Sequence, residues 1–209
     1  MTVILPSSLV LRAKRHRALG LISMLVLLGG CGSAPPEHFY TLEPSAAITS
    51  AESRNTFSVS VGAVTLPEAV DRAQMVVRIG SNQVEQIEDR RWAESLRFAI
   101  PRVVGSNLSR YLPGAAVSGR SDAAVDGTIK YRVTIDILRF ESRLADGITL
   151  EARWRIQGPG QIARTAAASF TETADANSYD ELAAAHGRAL ARLSQNIAQA
   201  LRDIEGGRP

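Results

Sequence analysis

The chain has a single cysteine, Cys31, and only three histidines among its 209 residues. A lone thiol excludes an internal disulfide and any metal site built from paired cysteines. Aromatic residues make up 5% of the sequence. There is no Gly-x-Ser-x-Gly elbow, no Walker loop and no His-Glu-x-x-His pair, so the common hydrolase, nucleotide and zinc-protease signatures are missing. The apolar segment from Ala18 to Leu28 is eleven residues long, where a bilayer-spanning helix needs about twenty.

What is present begins at the N-terminus. Arg12, Lys14, Arg15 and Arg17 precede the apolar segment and small residues follow it, which is the order of a secretory signal peptide. Removing residues 1–30 leaves 179 residues, enough for one domain with a real core. That segment carries four positive residues and no acid, so its loss takes the formal charge from +3 to −1. The pI of about 9.4 therefore reports the targeting segment and not a nucleic-acid surface. The Leu28-Gly29-Gly30-Cys31 ending resembles the bacterial lipobox. That resemblance implies that Cys31 becomes residue one and carries a thiol-linked diacylglycerol and an N-acyl chain. At about 0.8 kcal/mol per buried CH₂, two or three long chains form a lasting anchor. Gly32 stands where inner-membrane retention usually needs Asp, which by the same resemblance implies an outer-membrane lipoprotein. Residues 31–37 form a short tether of about 20–25 Å at most, and residues 38–209 read as a single domain.

Within that domain, His38 to Leu42 is a short β-prone run, and Glu43 to Thr56 reads as a polar linker. Phe57, Val59, Val61 and Ala63 alternate with Ser58, Ser60 and Gly62, and the apolar set then shifts parity, which predicts a bulge around Gly62–Val64. Residues 74–80 and 83–89 predict a hairpin turning at Gly80-Ser81-Asn82. A helix is expected from Arg91 or Trp92, with Trp92, Leu96, Ile100 and Leu108 on one face and a kink or break near Ala99–Ile100 caused by Pro101. Pro113 to Ala124 reads as a loop. From Val125 to Ile137, and again from Ile148 to Ile156, apolar and polar residues alternate, and a third strand from Gln161 to Thr171 completes an antiparallel meander. Ser178-Tyr179-Asp180-Glu181 is a capping-box pattern opening a C-terminal helix with a stripe at Leu182, Ala185, Ala189, Leu193 and Ile197. The expected class is α+β: a largely antiparallel or mixed sheet of about six strands with two main amphipathic helices on one face.

Little in this domain suggests chemistry. His38 lies near the tether, and His186 falls on the polar side or flank of the C-terminal helix. Neither has a ligand cluster around it. Gly158 to Ala163 formally matches G-x-G-x-x-A but joins two strands and contains Pro159, so it is not a dinucleotide turn. Glu88, Asp89 and Asp175 sit at strand ends where acids are usually solvated.

Val64-Thr65-Leu66-Pro67-Glu68-Ala69-Val70-Asp71-Arg72-Ala73-Gln74-Met75-Val76-Val77-Arg78 and Arg91-Trp92-Ala93-Glu94-Ser95-Leu96, preceded by the lipobox and by Phe39-Tyr40-Thr41-Leu42, resemble the ABC-type transport auxiliary lipoprotein family, which includes PqiC-like lipoproteins. Ser95 stands where the family usually has proline. The resemblance implies a non-enzymatic subunit on the periplasmic side of the outer membrane. Such a subunit meets a periplasm-spanning MCE-type partner of an ABC lipid transport system and supports membrane integrity. It calls for no cofactor beyond the covalent lipid on Cys31 and no nucleic acid, and a homo-oligomer is compatible with it. Partner contacts are placed at Asp71, Arg72, Arg78, Arg91 and Trp92, with internal ion pairing of the arginines and a core role for Trp92 as the alternative. Two other functions stay open at this point: a direct periplasmic lipid-binding carrier, which needs an apolar cavity between sheet and helices, and a lipid-anchored hydrolase.

Overall fold

The computed structural model describes residues 35–47, 56–119, 129–159, 161–174 and 178–207. The expected signal segment, Cys31, linker residues 48–55, the strand start from Val125 to Thr128, Gly160 and Asp175 lie outside the described residues. The chain divides at Pro36; of the first unit only Pro35 and Pro36 are described, and the folded domain is the second, from Glu37 onward.

This domain has eight described strands and two helices in the order β1 (His38–Tyr40), β2 (Ser58–Thr65), β3 (Gln74–Arg78), β4 (Val84–Trp92), α1 (Leu96–Tyr111), β5 (Ala116–Ser118), β6 (Tyr131–Arg143), β7 (Gly147–Gly158), β8 (Gln161–Thr173) and α2 (Tyr179–Glu205). The class is α+β, as expected. β6, β7 and β8 form the antiparallel meander. Because β7 fills one edge of β6 from Arg132 to Arg143, the opposite edge serves two strands in succession. β2 runs parallel to it at Tyr131–Asp136, and β3 meets it further on, where Val77 pairs with Ser142. The sheet therefore forks. One arm continues from β2 to β5, the other from β3 through β4 to β1.

Alternation decides which face is core. Tyr131, Val133, Ile135 and Ile137 of β6 and Ile148, Leu150, Ala152, Trp154 and Ile156 of β7 are each at most 5% exposed, while the intervening polar residues face water. Both helices cover that inner face, α1 over β2 and β5, α2 over β7 and β8, and they pack against each other. The α2 stripe from Leu182 to Leu201 is buried as predicted, and Ser178 Oγ accepts the Glu181 amide at 3.3 Å.

The expected polar linker begins differently from its sequence reading. Leu42 and Ala46 are buried, and residues 41–47 form a strap across the helix layer. Arg102 Nη2 donates to Leu42 O at 3.0 Å, Arg110 Nη1 donates to Ala46 O at 2.9 Å, and the Ala46 amide donates to Asn107 Oδ1 at 3.1 Å. A Cβ on Gly187 would sit 2.8 Å from Glu43 O, so glycine there lets the strap lie against α2. Side chains from the helix hold this backbone, and such bonding leaves no period in the strap's own sequence.

Other expectations need correction too. The sheet has eight strands where about six were expected; β5 falls in the presumed loop because its three residues are too few to show a period. Trp92 belongs to a strand and not to a helix: its amide donates to Ala73 O at 2.7 Å, and α1 starts only at Leu96. Pro101 does not break α1, which is assigned continuously from Leu96 to Tyr111. It lies just beyond the first turn, so the bond it removes is the single one to Arg97 O. The bulge in β2 is where the sequence puts it, between Val61 and Val64, but Ala63 turns outward and Val64 takes the inner position. A second bulge, at Ile137–Arg139 of β6, leaves Leu138 and Arg139 both outward and brings Phe140 to the inner face.

Candidate docking surface

The sequence segments that carry the family resemblance converge on one corner. β3 and β4 are antiparallel neighbours with Gln74 opposite Arg91, and β1 runs parallel to β4 with Phe39 opposite Arg91 and Tyr40 opposite Trp92. Tyr40 O accepts the Ala93 amide at 2.8 Å. The corner is thus closed by main-chain bonds between three segments that are far apart in sequence.

Its charges are paired. Asp71 binds Arg97 of α1 at 2.5 Å. Arg72 donates to Gln86 Oε1 at 2.5 Å and to Glu68 O at 3.3 Å. Arg78 grips Glu141 with two parallel bonds, Nε to Oε2 at 2.9 Å and Nη2 to Oε1 at 2.6 Å. Those bonds hold the guanidinium above its ordinary pKa and the Glu141 carboxyl below its own. Arg91 reaches Glu37, at the start of the domain, at 2.6 Å. Asp71, Arg72, Arg78 and Arg91 all lie along the β3–β4–β1 arm, Arg91 beside Gln74 at one end of β3 and Arg78 at the other. Trp92 points the other way, 8% exposed, with its ring near those of Phe140 and His186.

The outer face beside the corner carries clefts. A polar one of about 380 Å³ includes Arg78, Ser81, Arg139, Glu141 and Asp146. At the fork, Pro67, Val70, Val76, Val84 and Leu138 line an apolar cleft of about 100 Å³. Sequence reasoning missed Leu138, which was legible, since the alternation that turns Ile137 inward turns the next residue outward. It also missed Phe98, which was legible as an apolar residue off the helical stripe. Among the described residues, no group of three His, Cys, Asp or Glu could hold a metal ion.

His186 is the main surprise in the interior. It is fully buried rather than on the polar side of α2, and it stacks on Phe140 with centroids 3.9 Å apart. Ser142 Oγ and His186 Nε2 are hydrogen bonded at 2.9 Å. The pair has the spacing of a nucleophile and base, but burial pushes the imidazole down to about 3. Its Nδ1 has no partner to orient it, and Ser142 is 6% exposed. The buried pair ties β6 to α2, with the imidazole a weak base.

Comparison with known proteins gives a family and a fold. The model of the family described as the ABC-type transport auxiliary lipoprotein component matches residues 40–198, from the end of β1 to deep within α2. No curated protein matches the chain in sequence. The crystal structure of an uncharacterized protein shares the fold at TM-score 0.68 and 18% identity, covering 80% of this chain and 99% of its own. A crystal structure of a protein from Xanthomonas campestris does so at TM-score 0.64 and 14% identity, covering 81% of this chain and 99% of its own.

Proposed function

We propose, because the chain belongs to the ABC-type transport auxiliary lipoprotein family, that it is an outer-membrane-anchored, non-enzymatic subunit docking a periplasm-spanning MCE-type partner of an ABC lipid transport system. The supporting observation is the convergence of the three motif segments on one exposed corner at the end where the chain enters the domain. Cys31 carries the lipid anchor in this reading, and Gly32 after it favours transfer to the outer membrane. No helix among the described residues is long and apolar enough to cross a membrane, which accords with attachment through lipid. Asp71, Arg72, Arg78 and Arg91 supply the partner contacts, and Trp92 packs in the core beneath β4.

The carrier reading draws less support. The apolar cleft at the fork, about 100 Å³, falls well below the roughly 300–1,000 Å³ of an ordinary ligand pocket, and larger clefts of about 380 and 570 Å³ are open and lined by charged side chains such as Arg78, Glu141, Asp136 and Arg153. Among the described residues, the Ser142–His186 pair that invites a hydrolase reading has its imidazole fully buried.

Gentle detergent capture of the full-length acylated protein from its own envelope, followed by mass spectrometry of proteins and lipids, tests the proposal. Recovery of an MCE-type protein with little stoichiometric lipid is expected. Stoichiometric lipid without that protein would establish a carrier instead.

A further inference from the structure

Two phenylalanines are unusually open to water for their size: Phe39 at 61% and Phe98 at 69%, the highest values among the exposed large apolar residues described. Both border the entry corner. Phe39 lies on β1, next to the α2 side of the strap with Asp180 and Ala183. Phe98 lies in the first turn of α1, which starts three residues after Ala93, and the Ala93 amide is bound to Tyr40 O. We infer that these two rings seat the entry end of the domain on the lipid surface to which the chain is anchored, an inference that rests on the lipid-anchor reading of Cys31.

The length of chain names the occupant. Phe39 is eight residues from Cys31, and eight residues span at most about 26–29 Å fully extended. The phenyl ring is therefore confined to the neighbourhood of the bilayer. The cations around the rings are paired, Arg91 with Glu37, Arg97 with Asp71 and Arg102 with Glu94. A surface with paired charges and exposed aromatics fits an uncharged lipid interface through its rings, where a basic patch would require anionic lipid. A third exposed apolar residue provides the contrast. Ile162, 56% exposed, pairs with Gln157, which stands opposite Arg132 at the start of β6. β3 meets β6 ten residues later, at Ser142, so Ile162 and the entry end are separated by roughly 30 Å of sheet.

The test uses the full-length acylated protein in phosphatidylcholine nanodiscs, with Phe39→Cys, Phe98→Cys and Ile162→Cys made singly and labelled with the environment-sensitive dye NBD. The Cys31 thiol is consumed by acylation, and intact mass reports whether it is. All three variants should keep the wild-type melting temperature, because the replaced side chains lie mostly in water. Labels at 39 and 98 are expected to shift to the blue and to be quenched by lipid carrying a spin label in its acyl chain, while the label at 162 does neither. If Cys31 is acylated and positions 39 and 98 behave like 162, the seating is overturned and the anchor stands. If Cys31 carries no lipid, the chain-length argument falls and the seating with it. If the two labels stay wet on lipid but are shielded when the MCE-type partner is added, the rings belong to a protein interface and the inference is wrong.

Discussion

The two arms that share an edge of β6 are held by different forces. In the β2–β5 arm, Val59 and Val61 are completely buried, and α1 lies directly over them. A Cβ on Gly105 of α1 would stand 2.5 Å from Gly119 Cα, just past β5, so the contact tolerates no side chain at that point. In the β3–β4–β1 arm the inner face is apolar, through Met75, Val77 and Trp92, but the surface is a set of ion pairs. Exposed pairs contribute little to stability. The buried side of the first arm tolerates little change, whereas the second can change its surface charges without losing the fold.

The largest effect should come from the buried arm. Leu108, completely buried in α1, cut to alanine is expected to cost about 3 kcal/mol in urea denaturation. A cost below about 1 kcal/mol would erase the contrast between the arms.

Next comes His186, a buried titratable group near the charged arm. His186 is held at about 3 in the folded domain, against about 6.5 unfolded. A depressed folded pKa gives stability that is complete above the unfolded value and declines as pH falls toward the folded one. Between pH 7 and pH 5 the wild type should therefore lose about 2 kcal/mol that His186→Gln does not lose. Parallel stability profiles for the two proteins would show that the ring is not kept neutral.

Smaller effects belong to the surface pairs. Arg91→Gln and Glu37→Gln, whose side chains are 31% and 47% exposed, should each cost less than about 1 kcal/mol, with a coupling of similar size in a double-mutant cycle. A substantially larger coupling would make the corner structural. Smallest of all, Arg72→Glu should leave the melting temperature nearly unchanged, since its bonds go to a glutamine and a carbonyl and no carboxylate partner is lost.

How much of this was legible in sequence follows from what each element depends on. The β6–β8 meander and α2 were readable because their burial is periodic, and the cap at Ser178 because its chemistry is local. The start of α1 was misread because Trp92 and Leu96 are four apart, a spacing that fits a helix face even though Trp92 pairs in a strand. The fork, the strap and β5 left no period to read, since each is held by a distant edge or by side-chain bonds from α1. The site residues were visible only through resemblance. The β3–β4 hairpin that carries them was signalled by the Gly80-Ser81-Asn82 turn, but the pairing of β1 with β4 that joins the Phe39-Tyr40 segment to them has no local signal. His186 was misplaced because the partner that makes burial tolerable, Ser142, lies 44 residues away.

The central claim is that the charged corner recognises a partner while the buried arm only supports it. Equilibrium binding of the purified MCE-type partner to acylated protein in nanodiscs tests this most directly, with wild type, an Arg72→Glu/Arg91→Glu double variant and Leu108→Val compared side by side. The account predicts that the double variant keeps its fold and binds about tenfold more weakly or worse, while Leu108→Val loses stability and binds like wild type. Unchanged binding by the double variant, with loss in Leu108→Val, would contradict it.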